Sequence, residues 1–223
     1  MRASTTLFDR WAIQTGVFLA IFFSVTLCFG MSSHSEIRAS ISKPRGRHTA
    51  TLFFLHGLGD VASGWFSELV HGAQQALPAT LVGGLKIVCP QAPTRPITLN
   101  MGMKMPGWYD ITSLSSRVAD PCEGIDDSRK VLLSLIEAEI NIHGIPPSRI
   151  IVGGFSQGAA LSLYTGLQYP SQLGGIVALS GYLPKPEYLL KNLAPEAMST
   201  PLFMGHGTAD QIVRFEYVYR IFI

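Results

Sequence analysis

Short unbroken runs of apolar residues recur along the chain: Thr51-Leu52-Phe53-Phe54-Leu55, Lys86-Ile87-Val88-Cys89, Arg149-Ile150-Ile151-Val152, Gly175-Ile176-Val177-Ala178-Leu179 and Pro201-Leu202-Phe203-Met204. A short run that is apolar throughout, rather than at alternate positions, predicts a strand covered on both faces. Ser128 to Ile140 instead carries Leu132, Leu135, Ile136 and Ile140 at helical spacing, and His143-Gly144-Ile145-Pro146-Pro147 supplies its stop. Strands that alternate with helices pair in parallel, with the crossover helices on both faces of the sheet. The expected class is α/β, with its site at the carboxyl ends of the strands.

A chain of 223 residues is long enough for one sizeable core plus an appendage. At 47% hydrophobic and 14% charged it is not a disordered segment. Lys+Arg 17 against Asp+Glu 15 leaves a net charge of +2, and the densest basic cluster is Lys43-Pro44-Arg45-Gly46-Arg47, so nucleic acid is not an expected partner. Cys28, Cys89 and Cys122 lack the paired spacing of a metal or redox motif. No metal and no cofactor is expected.

Residues 1–35 read differently from the rest. No residue between Arg10 and Glu36 is charged, and Val17 to Phe23, continuing through Val25, Leu27 and Phe29, is the most apolar stretch of the chain. Three readings fit. Arg2 and Arg10 ahead of small Cys28 and Gly30 suit a signal peptide, which would send the body out of the cell. Trp11 to Met31 approaches the roughly 20 residues of a membrane anchor. Met31 also suits an internal start, with residues 1–30 an alternative leader. Arg38, Lys43, Arg45 and Arg47 outnumber Arg2 and Arg10, which favours a cytoplasmic body with membrane contact through residues 11–31. The expected organisation is this segment followed by an α/β domain over residues 47–223.

Gly154-Phe155-Ser156-Gln157-Gly158 directly follows one apolar run and directly precedes the helical stretch Ala159 to Gln168. Strand, G-x-S-x-G and helix in that order predict a nucleophile elbow, where a sharp turn lifts Ser156 above the sheet beside a helix N-terminus. His56-Gly57-Leu58-Gly59-Asp60 follows the first run. Gly57 to Ala62 fits a dinucleotide G-x-G-x-x-A turn, but no acidic residue falls between Glu68 and Asp110 to hold a ribose. The favoured reading is an oxyanion loop, in which the N–H of Leu58 joins that of Gln157. Asp210, on the loop after the last run, is the candidate acid, with a capped turn as the plain alternative. The histidines are His34, His48, His56, His71, His143 and His206, and none follows Asp210. His56 and His206 lie in loops near the proposed site, and His206 reads better as a turn residue than as a base. Met101, Met103, Met105 and Trp108 suit an acyl-chain groove or ordinary packing equally.

The chain resembles the acyl-protein thioesterase and lysophospholipase branch of the α/β-hydrolase family from about Arg47 to Val213. The resemblance rests on His56 to Asp60, Gln91-Ala92-Pro93-Thr94-Arg95-Pro96-Ile97-Thr98-Leu99-Asn100, Met105-Pro106-Gly107-Trp108-Tyr109-Asp110-Ile111 and Gly153 to Gly158. It implies hydrolysis of acyl thioesters on S-acylated proteins, or of lysophospholipids and small esters. In that scheme Ser156 is the nucleophile, Asp210 the acid, and Leu58 and Gln157 the oxyanion amides. The family has no membrane segment ahead of its first strand, and it continues past the acid to a catalytic histidine and a closing helix. The apolar ending from Tyr217 to Ile223 therefore predicts an α/β-hydrolase fold lacking its last strand and helix. The second functional expectation is binding of an acyl chain or a partner without turnover.

Overall fold

The apolar runs become strands of a six-stranded sheet in a computed structural model that describes residues 37–114 and 119–219. The stretch from Trp11 to Met31, read above as an anchor or a signal, lies outside the described residues. In chain order the regular elements are β1 (Ala39–Ser42), β2 (Ala50–Leu55), α1 (Phe66–Ala76), α2 (Ala79–Val82), β3 (Leu85–Pro90), β4 (Thr94–Ile97) and β5 (Met103–Pro106). They continue with α3 (Ile125–Asn141), β6 (Ile150–Phe155), α4 (Gln157–Gly166), β7 (Gly175–Leu179), α5 (Pro186–Lys191), β8 (Leu202–Gly205) and α6 (Glu216–Tyr219). The sheet order is β1-β3-β2-β6-β7-β8. All pairs are parallel except β1 with β3, where Ala39 lies opposite Pro90.

Three strands depart from the sequence reading. The body was expected from residue 47, yet β1 already lies in the sheet at Ala39–Ser42. Its alternating serines leave only a short half-apolar strand, too weak a pattern to register. β4 and β5 form a separate hairpin, Ile97 opposite Met103, which Pro96 and Pro106 disguise because proline is unfavourable in strand interiors.

Side chains alternate across a strand, so Phe53 and Leu55 face one side of the sheet and Leu52 and Phe54 the other. On the first side Phe53, Leu55, Val88, Ile150, Val152, Ile176 and Ala178 share a core with Leu132 and Ile136 of α3 and Leu161 and Leu163 of α4. On the other, Phe54, Ile87 and Cys89 pack with Phe66, Leu69, Val70 and Ala73 of α1. Helices thus cover both faces, and each fully buried aliphatic side chain contributes about 1.5–3 kcal/mol. Every residue of α4 is buried, so this helix has no polar face.

One charged cluster interrupts the apolar layer between sheet and α3. Glu139 accepts from Lys86 Nζ at 2.6 Å and from Thr51 Oγ1 at 2.8 Å, with His48 Nε2 3.5 Å away. Its side chain is only 5% exposed, so the carboxylate depends on these partners for solvation. Lys86→Met is expected to lower stability by about 3–5 kcal/mol by stranding that charge, and adding Glu139→Leu should recover much of the loss. Urea midpoints of the single and double variants measure both.

Candidate active site

The turn from β6 into α4 is built by what its residues cannot carry. Ser156 stands at φ 52 and ψ −115, a conformation L-residues rarely adopt and one that costs about 1–3 kcal/mol. It is held there by its N–H on Leu179 O at 2.9 Å and its carbonyl under Ala160 N at 3.0 Å. A Cβ on Gly154 would lie 2.6 Å from Leu55 O, and one on Gly158 would meet the carbonyl oxygens of Leu55 and His56. The two glycines of the motif let the start of α4 press against the end of β2. Gln157 opens α4, so its backbone N–H has no intrahelical acceptor and sits at the positive end of the helix.

That contact brings the loop after β2 to the serine. A Cβ on Gly57 would be 3.6 Å from Ser156 Cβ. The Gly57 carbonyl accepts from His56 Nδ1 at 2.8 Å and Asp60 N at 3.3 Å. In a trans peptide the next N–H points the opposite way, so the Leu58 N–H faces away from those donors. Among the described residues it has no hydrogen-bond acceptor. The dinucleotide reading of this loop finds no support: the next helix, α1, begins only at Phe66, so no helix N-terminus opens on these glycines.

His56 is not placed as a base. Besides Nδ1 on the Gly57 carbonyl, its Nε2 accepts the Ala92 N–H at 3.1 Å, so both ring nitrogens are engaged and the neutral tautomer is set. Burial holds its pKa below the ordinary histidine value of 6.5, against weaker opposing contributions from the Gly57 carbonyl and Asp60. Burial likewise lowers His48. Both sites bind a proton less readily folded than unfolded, so their stabilisation is complete above 6.5 and is lost as pH falls through that value. Urea midpoints measured from pH 8 down to pH 5 are expected to fall below pH 6.5, and less steeply in His56→Gln.

Asp210 lies on the loop after β8. Its Oδ1 accepts the N–H groups of Ile212 and Val213, each at 2.9 Å, which fixes the carboxylate and leaves Oδ2 facing His206 Nε2 at 3.6 Å. His206 Nε2 lies 2.6 Å from the Val213 carbonyl, and its side chain is 2% exposed, so it braces the acid loop from within. Ser156 N bonds to β7 at Leu179 O, and Ser180 N bonds to β8 at Gly205 O. Those bonds align elbow and acid loop along one end of the sheet, the carboxyl end, with β7 between them.

Sequence reasoning missed a brace behind the elbow. The buried Gln157 side chain accepts Trp108 N–H at 2.9 Å and donates to Tyr109 O at 2.6 Å, and Trp108 Nε1 donates to His56 O at 2.9 Å. Neither residue lies at a spacing that signals such a bond, although Trp108 and Tyr109 fall in a block that carries the resemblance. The methionines do not form one lining: Met101 and Met103 stand exposed on the β4–β5 hairpin, while Trp108 is buried against the His56 ring.

A parallel sheet whose central strand breaks at a serine into a buried helix is the architecture of an α/β hydrolase. A family model described as phospholipase/carboxylesterase matches residues 37–221, and the chain belongs to that family. Acyl-protein thioesterase 1 of Yarrowia lipolytica is 47% identical over 174 residues, spanning 78% of this chain and 74% of that protein. Acyl-protein thioesterase 1 homolog 1 of Dictyostelium discoideum is 43% identical over 178 residues, covering 79% of this chain and 76% of its own length. Among solved structures, Zea mays acyl-protein thioesterase 2 superposes with a TM-score of 0.67 at 32% identity, covering 82% of this chain and 81% of that one. Arabidopsis thaliana SOBER1 gives 0.68 at 31% identity, over 78% of this chain and 80% of its own.

Proposed function

We propose that the chain is a serine hydrolase that removes acyl groups from S-acylated proteins, with Ser156 as nucleophile, Asp210 as acid, and the N–H groups of Leu58 and Gln157 as oxyanion donors. The observation that carries the reading is the contact of the Gly57–Leu58 turn with the strained elbow at Ser156. Ser156 Oγ adds to the thioester carbonyl, and the proton it gives up ends on the departing cysteine sulfur. The two amides hold the resulting oxyanion, and collapse expels the cysteine thiol to leave an acyl-serine ester. Water then cleaves that ester, releasing the fatty acid and restoring the serine.

The names of the thioesterase relatives support the protein-thioester substrate, and lysophospholipids are the second substrate class within the proposal. Membrane attachment through residues 11–31, with the body on the cytoplasmic side, also belongs to it. Tethering would raise the local concentration of lipid-bearing substrates without any new contact.

One observation favours a second reading, acyl binding without turnover. Both nitrogens of His56 are engaged, and His206 spends Nε2 on the Val213 carbonyl with Nδ1 buried and unpartnered, so neither imidazole is hydrogen-bonded to the Ser156 hydroxyl. Hydrolysis of an S-palmitoylated peptide, followed by thiol release, separates the two. Turnover together with labelling of Ser156 by a fluorophosphonate establishes the hydrolase. Palmitate binding with neither establishes the binder. Carbonate extraction of microsomes carrying the full chain tests the anchor, which release into the soluble fraction would overturn.

A further inference from the structure

The brace behind the elbow bonds to groups adjoining both proposed oxyanion donors, and this inference rests on that assignment of the donors. Trp108 is 1% exposed and hydrogen-bonded at three separate atoms. Its backbone N–H meets the side chain of Gln157, its carbonyl accepts Ser128 Oγ from α3, and its indole N–H meets the His56 carbonyl. Gln157 carries one donor on its own backbone. The His56 carbonyl belongs to the peptide plane immediately before the one that carries the Leu58 N–H. The plane immediately after it is held as well, because Gly59 N donates to Pro106 O at 2.8 Å, two residues from Trp108.

We propose that Trp108 is a positioning residue that sets the separation of the two oxyanion amides, clamping the Gly57–Leu58 peptide through the His56 carbonyl while locking the start of α4 through the Gln157 side chain. The chemistry of the groups supports a rigid spacer. Indole has one donor in a fixed plane and no rotatable bond beyond the ring, so its N–H transmits position more stiffly than a flexible side chain does. Trp108, Gln157, His56 and Ser128 are all buried, where hydrogen bonds are strong and water does not compete. The tilted packing of the indole on the His56 ring, with centroids 5.3 Å apart, ties side chain and carbonyl of the same residue to one partner.

Trp108→Phe keeps an aromatic ring but removes the five-membered ring that carries the N–H, so β6 serves as the control for the packing lost with it. In the full chain, amide exchange of Gly59 and Asp60 is expected to quicken about tenfold, while Val152 and Gly153 in β6 keep their wild-type rates. Fluorophosphonate labelling of Ser156 should slow by a similar factor. For a turning-over enzyme, kcat should drop with KM unchanged, which a general loss of packing would not produce. Unchanged exchange at Gly59 and Asp60 overturns the proposal, and so does an equal rise in β6. The exchange measurement needs no activity, so a wild-type chain that fails to label defeats the proposed function and leaves the positioning role to be decided by exchange. If Trp108→Phe does not fold, the wild-type indole N–H resonance decides. It is expected to shift when a boronic acid adds to Ser156 and fills the oxyanion position, and a resonance that stays still as the adduct forms overturns the proposal.

Discussion

Ser156→Ala is expected to abolish fluorophosphonate labelling and to cut thioester turnover to the level that the oxyanion amides and substrate binding support by themselves. The residual rate over water, about 10³–10⁴-fold, belongs to the oxyanion amides and substrate binding, which the variant retains. Stability gives the result a second edge. Ser156 holds a backbone conformation suited to glycine, so Ser156→Gly should be inactive yet more stable than the parent by about 1–2 kcal/mol. Labelling that survives in Ser156→Ala would mean another residue is the nucleophile. A Ser156→Gly variant that melts lower than the parent would mean the elbow carries no strain.

The second large effect falls on the fold. A Cβ at Gly158 would sit 2.5 Å from Leu55 C and 2.6 Å from His56 O, backbone atoms at the end of β2 that cannot move without dragging the central strand. Gly158→Ala is therefore expected to cost more than about 4 kcal/mol, in the range reserved for severe core disruption. For a body of this size that is a fall in melting temperature of at least about 8 °C. Gly72→Ala is the matched control, because a Cβ there meets nothing within 4 Å inside α1. A helix-interior alanine should stabilise by about 0.5–1 kcal/mol. Differential scanning calorimetry of the pair checks both signs at once.

The legible parts of the molecule are those where one physical cause acts locally. Continuous apolar runs at residues 51–55, 86–89 and 175–179 mark inner strands because burial on both faces allows nothing else, and β2, β3 and β7 stand there. The elbow is legible because two glycines and a serine satisfy one steric demand within five residues. β1 and the β4–β5 hairpin escape because their pattern is diluted by Ser40, Ser42, Pro96 and Pro106, and they are held by their pairing partners. The Gln157 side chain is the instructive omission. Its sequence neighbours make it an oxyanion amide by motif, yet its side-chain amide spends both faces on Trp108 and Tyr109, nearly fifty residues away. The double cap on Asp210 is legible only after the loop is seen to fold back, since Ile212 and Val213 carry no sign of being donors.

The Gly57–Leu58 turn separates two properties that usually travel together in an active site. On the proposed assignment the reactive contribution of position 58 comes from its backbone, while its side chain is half-buried, with Leu58 Cδ1 3.0 Å from where a Cβ of Gly107 would be. The side chain at residue 58 can therefore change while the charge-stabilising group stays intact, provided Gly107 stays small. Exchanging Leu58 for valine or methionine then alters the packing beside Gly107 at nearly constant intrinsic reactivity. The same freedom is closed at Gly158, where a Cβ would strike the backbone of Leu55 and His56.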